Sequence, residues 1–355
     1  MNSKKWLKIF VVLSFLGVGF VGGVNWVVDP YGSNNLIQKD WNKIKLGNIK
    51  RPLSFKLPII KNGEIDVLTL GTSRTGVMDI DIIKNYYSGN IFSLSSPSSL
   101  AEEQYFILRY ALKHNNIKTL IYGIDFMSFN GNKEKPSSDF NEHRKSIENF
   151  ENIDNPVINY FSIDTLKYSL KMILNKKDTF YTYQGERVYI NAIESIRNGT
   201  FKFKYDIEKF KTNAQYSPYK FSSKQLDYFK KSIELCQANN INIILYTPPM
   251  YYKHFFNIYT NLENDFVIFK KELVRVKSYY DFSGINEISK NESNYVDESH
   301  LRGELAKNIM SKIFNDNSIK TPKDYGILVT KENIDEHLEN LKTQIKNYDL
   351  EKTLK

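Results

Sequence analysis

Five short apolar runs, rich in β-branched and aromatic residues, restrict the possible folds of this chain more than any other feature. Each has the length of a buried strand, and they read "IDVLTLG", "NIFSLSS", "KTLIYGIDF", "NINIILYTPP" and "SYYDFSG". Helix-like segments lie between them, in particular "SLAEEQYFILRYALKHN" and "SSKQLDYFKKSIELCQANN". Strands that alternate with helices are typical of a parallel sheet covered on both faces. The sequence therefore predicts an α/β fold with its active site at the carboxyl ends of the strands.

The chain divides into an apolar N-terminal segment, residues 1–28, a polar connector, residues 29–60, the α/β domain, residues 61–320, and a charged helical tail, residues 321–355. An insertion rich in Asn, Lys, Tyr and Phe interrupts the domain at about residues 130–222. Its tyrosines either stack on sugar rings in a substrate cleft or fill a secondary core. With 355 residues, of which 41% are hydrophobic, the chain can bury one large core or two modest ones.

The N-terminal segment predicts a membrane-spanning helix. Residues 9–28 carry no charge before Asp29 and are long enough to cross a bilayer. Because Lys4, Lys5 and Lys8 precede this stretch, we expect a cytoplasmic N-terminus and an extracytoplasmic body. The alternative is a cleaved signal peptide, but the apolar stretch is long for one and lacks a clear A-x-A cleavage site. A single-pass anchor in the cell membrane is the preferred interpretation.

The net charge of +9 does not predict a nucleic-acid partner, because the basic residues are mixed with acidic ones and form no dense stripe. Cys236 is the only cysteine, so no internal disulfide and no lipid-modified cysteine near the N-terminus are expected. No spacing of His, Cys or carboxylate residues predicts a metal site, and no cofactor is predicted.

The first apolar run ends in a turn that contains candidate catalytic residues. Gly71 permits a tight turn, and Thr72, Ser73 and Arg74 follow it where the next helix begins. A hydroxyl at this position has free backbone N–H groups beside it, an arrangement that can stabilise an oxyanion. Ser73 is therefore a candidate nucleophile. The alternative is that Ser73 only caps the helix, since a serine needs a base before it can act as a nucleophile.

Among the five histidines, His300 has the most suggestive surroundings. In "DESHLRGELAKNIMSKIF", Asp297 precedes His300 by three residues and an amphipathic helix follows. A carboxylate at this spacing can bind the imidazole Nδ1 and leave Nε2 to face a serine. Solvated surface roles are predicted for His114, on an amphipathic helix, and for His337, in the charged tail.

The order of these motifs, G-x-S after the first core strand and D-x-x-H after the last, resembles the SGNH (GDSL-like) hydrolase superfamily over about residues 60–315. "LTLGTSRTG" is similar to the first block of that family and "DESH" to its last. The resemblance implies a flavodoxin-like three-layer α/β/α sandwich and a Ser-His-Asp triad, with Ser73 as nucleophile, His300 as base and Asp297 as the orienting acid. "VVDPYG", "IYGIDFMSF" and "YYDFSG" look like the membrane-anchored branch, which includes alginate O-acetyltransferase accessory proteins and the D-alanine transfer protein of teichoic acid modification.

The sequence departs from this family where oxyanion donors are expected. The family takes further donors from a Gly in the second block and an Asn in a G-x-N-D third block, whereas this chain has "SLSSPSS" and "GIDFMSFNG" there. The candidates for oxyanion or substrate binding are therefore Ser73 and Arg74, together with Ser95, position 97 and Ser98 in the stretch after the second strand. For Arg74, binding of an anionic substrate group and a structural ion pair are both open.

The predicted function is extracytoplasmic, serine-dependent O-acyl transfer of an acetyl or D-alanyl group onto a cell-envelope polysaccharide or teichoic polymer. The resemblance also implies a membrane-bound O-acyltransferase as partner. One alternative is a carbohydrate esterase that removes such groups. Another is a non-catalytic, glycan-binding scaffold of an acyltransferase complex.

Overall fold

The computed structural model describes residues 2–31, 37, 42, 44–45, 52–133, 135–151, 160–174, 179–206, 213 and 216–353. Much of the predicted connector lies outside these ranges. The strands are β1 (Ile44–Lys45), β2 (Val67–Leu70), β3 (Ile91–Ser93), β4 (Thr119–Gly123), β5 (Thr179–Thr182), β6 (Arg187–Tyr189), β7 (Asn242–Thr247), β8 (Tyr279–Asp281) and β9 (Ile327–Val329).

Helices precede, separate and follow these strands. They span Ser3–Val28, Pro52–Asn62, Ser73–Gly76, Ile80–Ile83, Ala101–His114, Ser138–Asn149, Ile163–Ile173, Ile190–Arg197, Ser223–Ala238, Tyr252–Val276, Glu287–Lys290, Ala306–Phe314 and Ile334–Thr353. Short 3₁₀ turns occur at Phe126–Phe129, Glu292–Asn294 and Gly303–Leu305.

The main sheet has the strand order β3-β2-β4-β7-β8-β9. Strands β2, β3, β4, β7 and β8 pair in parallel, and β9 pairs antiparallel with β8 at one edge. Each of the five predicted runs contains one of the parallel strands, so the prediction of an α/β fold with a mostly parallel sheet is confirmed. The parallel strands have the 2-1-3-4-5 order of a doubly wound sheet, in which ligands bind beyond the carboxyl ends of the strands.

The two faces of the sheet bury separate hydrophobic cores, because successive residues of a strand point to opposite sides. Leu68 lies in the larger core, which the helices Ala101–His114 and Ser223–Ala238 cover. Val67 lies in the second core on the other face, together with apolar residues of the helix Ala306–Phe314. The sheet therefore lies between two layers of helices.

Segments on both sides of the predicted domain also pack against it. The helix Pro52–Asn62, most of which falls in the predicted connector, buries Leu53 completely in the larger core. In the tail, β9 extends the sheet, and the helix Ile334–Thr353 packs against the helix Tyr252–Val276. The core therefore draws on residues from both flanking segments.

The predicted insertion contributes a β-hairpin to a small antiparallel sheet with the order β1-β5-β6. The backbone N–H of Ser93, in β3, donates to the carbonyl of Gln184 in the hairpin turn, at 2.7 Å. The next residue, Gly185, has a φ of +79°, and a Cβ there would overlap the carbonyl oxygen of Ser93. The hairpin therefore lies against the carboxyl end of β3, at the edge where the active site is predicted.

The N-terminal segment forms one continuous helix, Ser3–Val28, which confirms the helix predicted for residues 9–28. Most of its apolar side chains are exposed, and the helix is long and apolar enough to span a membrane.

Candidate active site

The turn after β2 presents Ser73 at the carboxyl edge of the sheet. Gly71 has a φ of +149°, and a Cβ there would overlap the carbonyl oxygen of Gly123 at the end of β4, so the close approach of the two strand ends requires glycine. Thr72 is the N-cap residue, because its Oγ1 accepts the backbone N–H of Arg74 at 3.3 Å. Capping is thus performed by Thr72, and the hydroxyl of Ser73 remains available for another contact.

That contact is with His300. The Oγ of Ser73 lies 2.9 Å from Nε2 of His300, and Nδ1 of His300 lies 2.7 and 2.8 Å from the two carboxylate oxygens of Asp297. These are the contacts that the two sequence motifs predicted. When Nδ1 donates to Asp297, Nε2 is left to accept the proton of the Ser73 hydroxyl.

The loop that carries Asp297 also sets the charge of this carboxylate. Its Oδ1 accepts the backbone N–H groups of Ser299, at 2.8 Å, and His300, at 2.9 Å. Burial favours the protonated carboxyl, but the His300 imidazole and these N–H groups outweigh burial and lower the pKa of Asp297 to about 2. Asp297 is therefore ionised at neutral pH, the state that stabilises a protonated imidazole.

Arg74 forms a buried ion pair rather than an open anion site. Its guanidinium donates to Oδ1 of Asp125 at 2.8 Å, to the hydroxyl of Tyr216 at 2.8 Å and to Oγ of Ser299 at 3.3 Å. Thr72 donates its hydroxyl to Oδ2 of Asp125 at 2.8 Å. Of the two interpretations left open for Arg74, the structural ion pair is the one observed. Through Ser299, this pair also supports the loop that carries Asp297.

The candidates after β3 provide fewer donors than expected. Position 97 is Pro97, which has neither a hydroxyl nor a backbone N–H, so the prediction of a donor there is wrong. Ser95 is buried, and its carbonyl accepts Nζ of the buried Lys56 at 2.7 Å. Ser98 has a φ of +56° and is partly buried. The best-placed oxyanion donor is the backbone N–H of Ser73, which begins its helical turn and has no acceptor within it.

Two residues that sequence reasoning missed lie over the site. The ring of Tyr189 is 5.3 Å from the ring of His300, and the guanidinium of Arg187 lies 4.7 Å from the centre of the Tyr189 ring. Both belong to β6, in an insertion that shows no strong periodicity, so no local signal marks them. Beneath this hairpin, Ser73 is 9% exposed.

A cavity of about 150 Å³ adjoins the site. Tyr189 and Leu301, the neighbours of His300 in space and in sequence, both line it. The charged groups of its lining are Arg187, Arg197, Arg302, Asp79, Glu186 and Glu304. Burial is the main cause that raises the pKa of Glu186 to about 8, so its carboxyl is mostly protonated at neutral pH. The cavity is small and polar, and its lining carries three arginines and three acidic residues, among which Arg302 and Glu304 form an ion pair at 2.7 Å.

The surface role predicted for His337 is wrong. The side chain of His337 is buried, and its Nε2 lies 2.8 Å from Oδ2 of Asp281 at the end of β8. A local view of the charged tail could not predict this, because the helix that carries His337 packs its inner face on the domain.

A comparison with protein-family models finds no match to this chain. A comparison with curated proteins finds no match either. The motifs quoted above and the geometry of the residues that they contain are therefore the basis for a function.

Proposed function

We propose that this protein is a membrane-anchored, SGNH-type acyltransferase that moves an acetyl or D-alanyl group onto a hydroxyl of an extracytoplasmic cell-envelope polymer. The observation that carries the proposal is the continuous chain from Asp297 through His300 to Ser73, with 2.9 Å between Nε2 and Oγ. Nucleophile, base and orienting carboxylate within hydrogen-bond reach are the requirements for an activated serine.

The reaction proceeds through two acyl transfers. His300 accepts the proton of the Ser73 hydroxyl as Oγ attacks the donor carbonyl, and the protonated imidazole then gives this proton to the leaving group. The backbone N–H of Ser73 faces the negative charge that develops on the carbonyl oxygen. In the second step His300 deprotonates the acceptor hydroxyl, which attacks the acyl-enzyme, and the proton returns to Ser73 as the ester bond to Oγ breaks.

The cavity beside Tyr189 supports the choice of substrate class. A volume of about 150 Å³ favours a short acyl group over a fatty acyl chain. The arginines in its lining suit an anionic acceptor, such as a polymer with phosphate or uronate groups. A membrane-bound O-acyltransferase that supplies the acyl group remains the proposed partner.

The other two candidate functions are compatible with parts of the same site. The same hydrogen-bond chain can hydrolyse an ester when water replaces the acceptor hydroxyl, which is the esterase function. The residue that favours a non-catalytic scaffold is Asp125, which follows β4. Its carboxylate already accepts hydrogen bonds from Thr72 and Arg74 and cannot donate to an oxyanion.

Covalent labelling tests the proposal. A fluorophosphonate should label the wild-type protein, and Ser73→Ala should abolish the labelling, whereas Ser88→Ala, at an exposed serine, should leave it unchanged. His300→Ala should slow the labelling by about 10²- to 10⁴-fold, the range that general-base assistance contributes. No labelling of the folded wild-type protein would overturn both enzymatic functions and leave the scaffold.

The acyl content of the envelope polymer then separates transfer from hydrolysis. Cells that carry Ser73→Ala should have less O-acyl group on the polymer if the protein transfers it, and more if the protein removes it. The same distinction appears in vitro: an esterase should hydrolyse p-nitrophenyl acetate readily, while a transferase should turn over slowly until its acceptor is supplied.

A further inference from the structure

The helix Ile163–Ile173 and its neighbours expose an unusual number of large apolar side chains. In the described part of the chain, most exposed large apolar residues outside the N-terminal helix lie between residues 161 and 174. They are Phe161, Ile163, Leu170, Ile173 and Leu174. A contiguous apolar surface of this kind marks an interaction site.

This surface is joined to the end of the N-terminal helix. Asn25, which is completely buried, donates from Nδ2 to the carbonyls of Tyr160, at 2.6 Å, and Ser162, at 3.1 Å. The hydroxyl of Ser169 donates to Oδ1 of Asn25 at 2.8 Å. The ring of Phe161 packs against Gly22, where a Cβ would overlap it. These contacts fix the position of the helix Ile163–Ile173 relative to the apolar segment.

Around its axis the helix Ile163–Ile173 presents three different sides. At about 100° per residue, Thr165, Ser169 and Met172 fall together on the side that is buried. The exposed apolar residues Ile163, Leu170, Ile173 and Leu174 fall on a second side. Asp164, Lys167 and Lys171 fall on a third side and are exposed. A helix with an exposed apolar side and a charged side that carries lysines is typical of a helix that lies in a membrane interface.

We infer that the helix Ile163–Ile173 lies in the membrane–water interface on the extracytoplasmic side of the cell membrane, with Phe161, Leu170 and Leu174 inserted among the lipids. The inference rests on one part of the proposed function, that Ser3–Val28 spans the membrane. We expect lipid to cover this apolar surface, because the surface is continuous with Trp26 and Val27, which are exposed at the end of the spanning helix. Lys167 and Lys171 lie where long cationic side chains reach the head groups.

This placement also brings the active site near the membrane. Val28 and Met172 form a small apolar cluster, against which Val188 and Ile190 pack. These two residues flank Tyr189, whose ring lies against His300. The interfacial helix therefore supports the strand that covers the site, and an acyl donor handed over at the membrane surface has a short path to Ser73.

Fluorescence quenching in vesicles tests the lipid contact. The full-length protein, reconstituted in phosphatidylcholine and phosphatidylglycerol vesicles, is labelled with an environment-sensitive dye at Leu170→Cys or at Leu328→Cys. The two positions form a matched pair, because Leu170 is 46% exposed and Leu328, in β9, is 45% exposed. The native Cys236 is buried, and burial raises the pKa of its thiol to about 12, so it does not compete for the dye.

Spin-labelled lipids with the nitroxide near the head group should quench the dye at Leu170→Cys severalfold more strongly than the dye at Leu328→Cys, and the emission at Leu170→Cys should shift to the blue. Equal quenching at both positions would overturn the inference. Shielding of Leu170→Cys only after a membrane acyltransferase is added would also overturn it, since a protein would then cover this surface. Fluorophosphonate labelling of the same samples tests Ser73 independently, so failure of one proposal is distinguishable from failure of the other.

Discussion

Ser73 and His300 are separated by 227 residues in the chain, yet one hydrogen bond joins their side chains. Each lies in a short local motif that sets its own geometry. Gly71 provides the turn that presents Ser73, and Asp297 binds both the backbone and the imidazole of His300. The doubly wound sheet then brings the two motifs together at one edge.

The rate of fluorophosphonate labelling should reveal the role of Asp297 over a wide range of pH. Because contacts with His300 lower the pKa of Asp297 to about 2, this carboxylate stays charged from pH 5 to pH 9. Asp297→Asn should therefore slow fluorophosphonate labelling at every pH in this range, by up to about 10⁴-fold, since an amide holds the imidazole in the wrong tautomer. Glu298→Gln, one residue further on, is the matched control and should retain the wild-type rate. An Asp297→Asn protein that labels as fast as the wild type would exclude His300 as an oriented base.

The residues of the site divide into those with a local signal and those without one. The spacing of Asp297 and His300 predicts their contact, whereas the role of Ser73 is predicted by the order of the two motifs and the resemblance that this order carries. The ion pair of Arg74 with Asp125 could not, because nothing in either segment indicates which distant charge it meets. The same holds for Tyr189, which reaches His300 only because the hairpin folds over the sheet edge.

At the scale of elements, the helix Ile334–Thr353 is held to the sheet by a buried charge cluster. Asp281, at the end of β8, accepts from Nζ of Lys270 at 2.8 Å and from Oγ1 of Thr247 at 2.5 Å. His337 extends from the helix to the same carboxylate. Removal of one partner from a buried ion pair leaves an uncompensated charge, which is strongly destabilising.

Asp281→Asn should therefore lower the free energy of unfolding by about 3 to 5 kcal/mol at neutral pH, measured by urea denaturation. Asp335→Asn is the control, because Asp335 pairs with Lys271 but is 82% exposed, and it should cost less than about 1 kcal/mol. A loss no larger than that of the control would show that the cluster does not hold the helix.

The stability of the wild-type protein should also decline in acid. Burial favours the protonated form of Asp281, but Lys270 and His337 outweigh burial and place its pKa well below the usual value. A depressed carboxyl pKa contributes stability above its unfolded pKa of about 3.9, and this contribution is lost as the pH falls further. Asp281→Asn should remove this part of the acid dependence.

At the scale of the whole molecule, hydrophobic periodicity predicts the central sheet but not what surrounds it. The parallel strands are buried on both faces, so each appears as a continuous apolar run. The edge strand β9 pairs with β8, which lies far away in the chain, and the strands of the hairpin β5–β6 contain polar or charged residues. The helix Ile163–Ile173 has a clear apolar stripe, but only its contact with Asn25 shows its position next to the N-terminal helix.

The proposed orientation can be measured on intact cells with two single substitutions. Since Lys4, Lys5 and Lys8 lie on one side of the apolar segment, we expect the N-terminus inside and the α/β domain outside. A membrane-impermeant maleimide should label Leu328→Cys in intact protoplasts and should label Ser3→Cys only after lysis, while the buried Cys236 stays unlabelled in both. The opposite pattern would show that the α/β domain faces the cytoplasm, where Ser73 cannot reach an envelope polymer. Failure to label Ser3→Cys even after lysis, with the domain still labelled outside, would identify a cleaved signal peptide and leave the helix Ile163–Ile173 without its membrane-spanning neighbour.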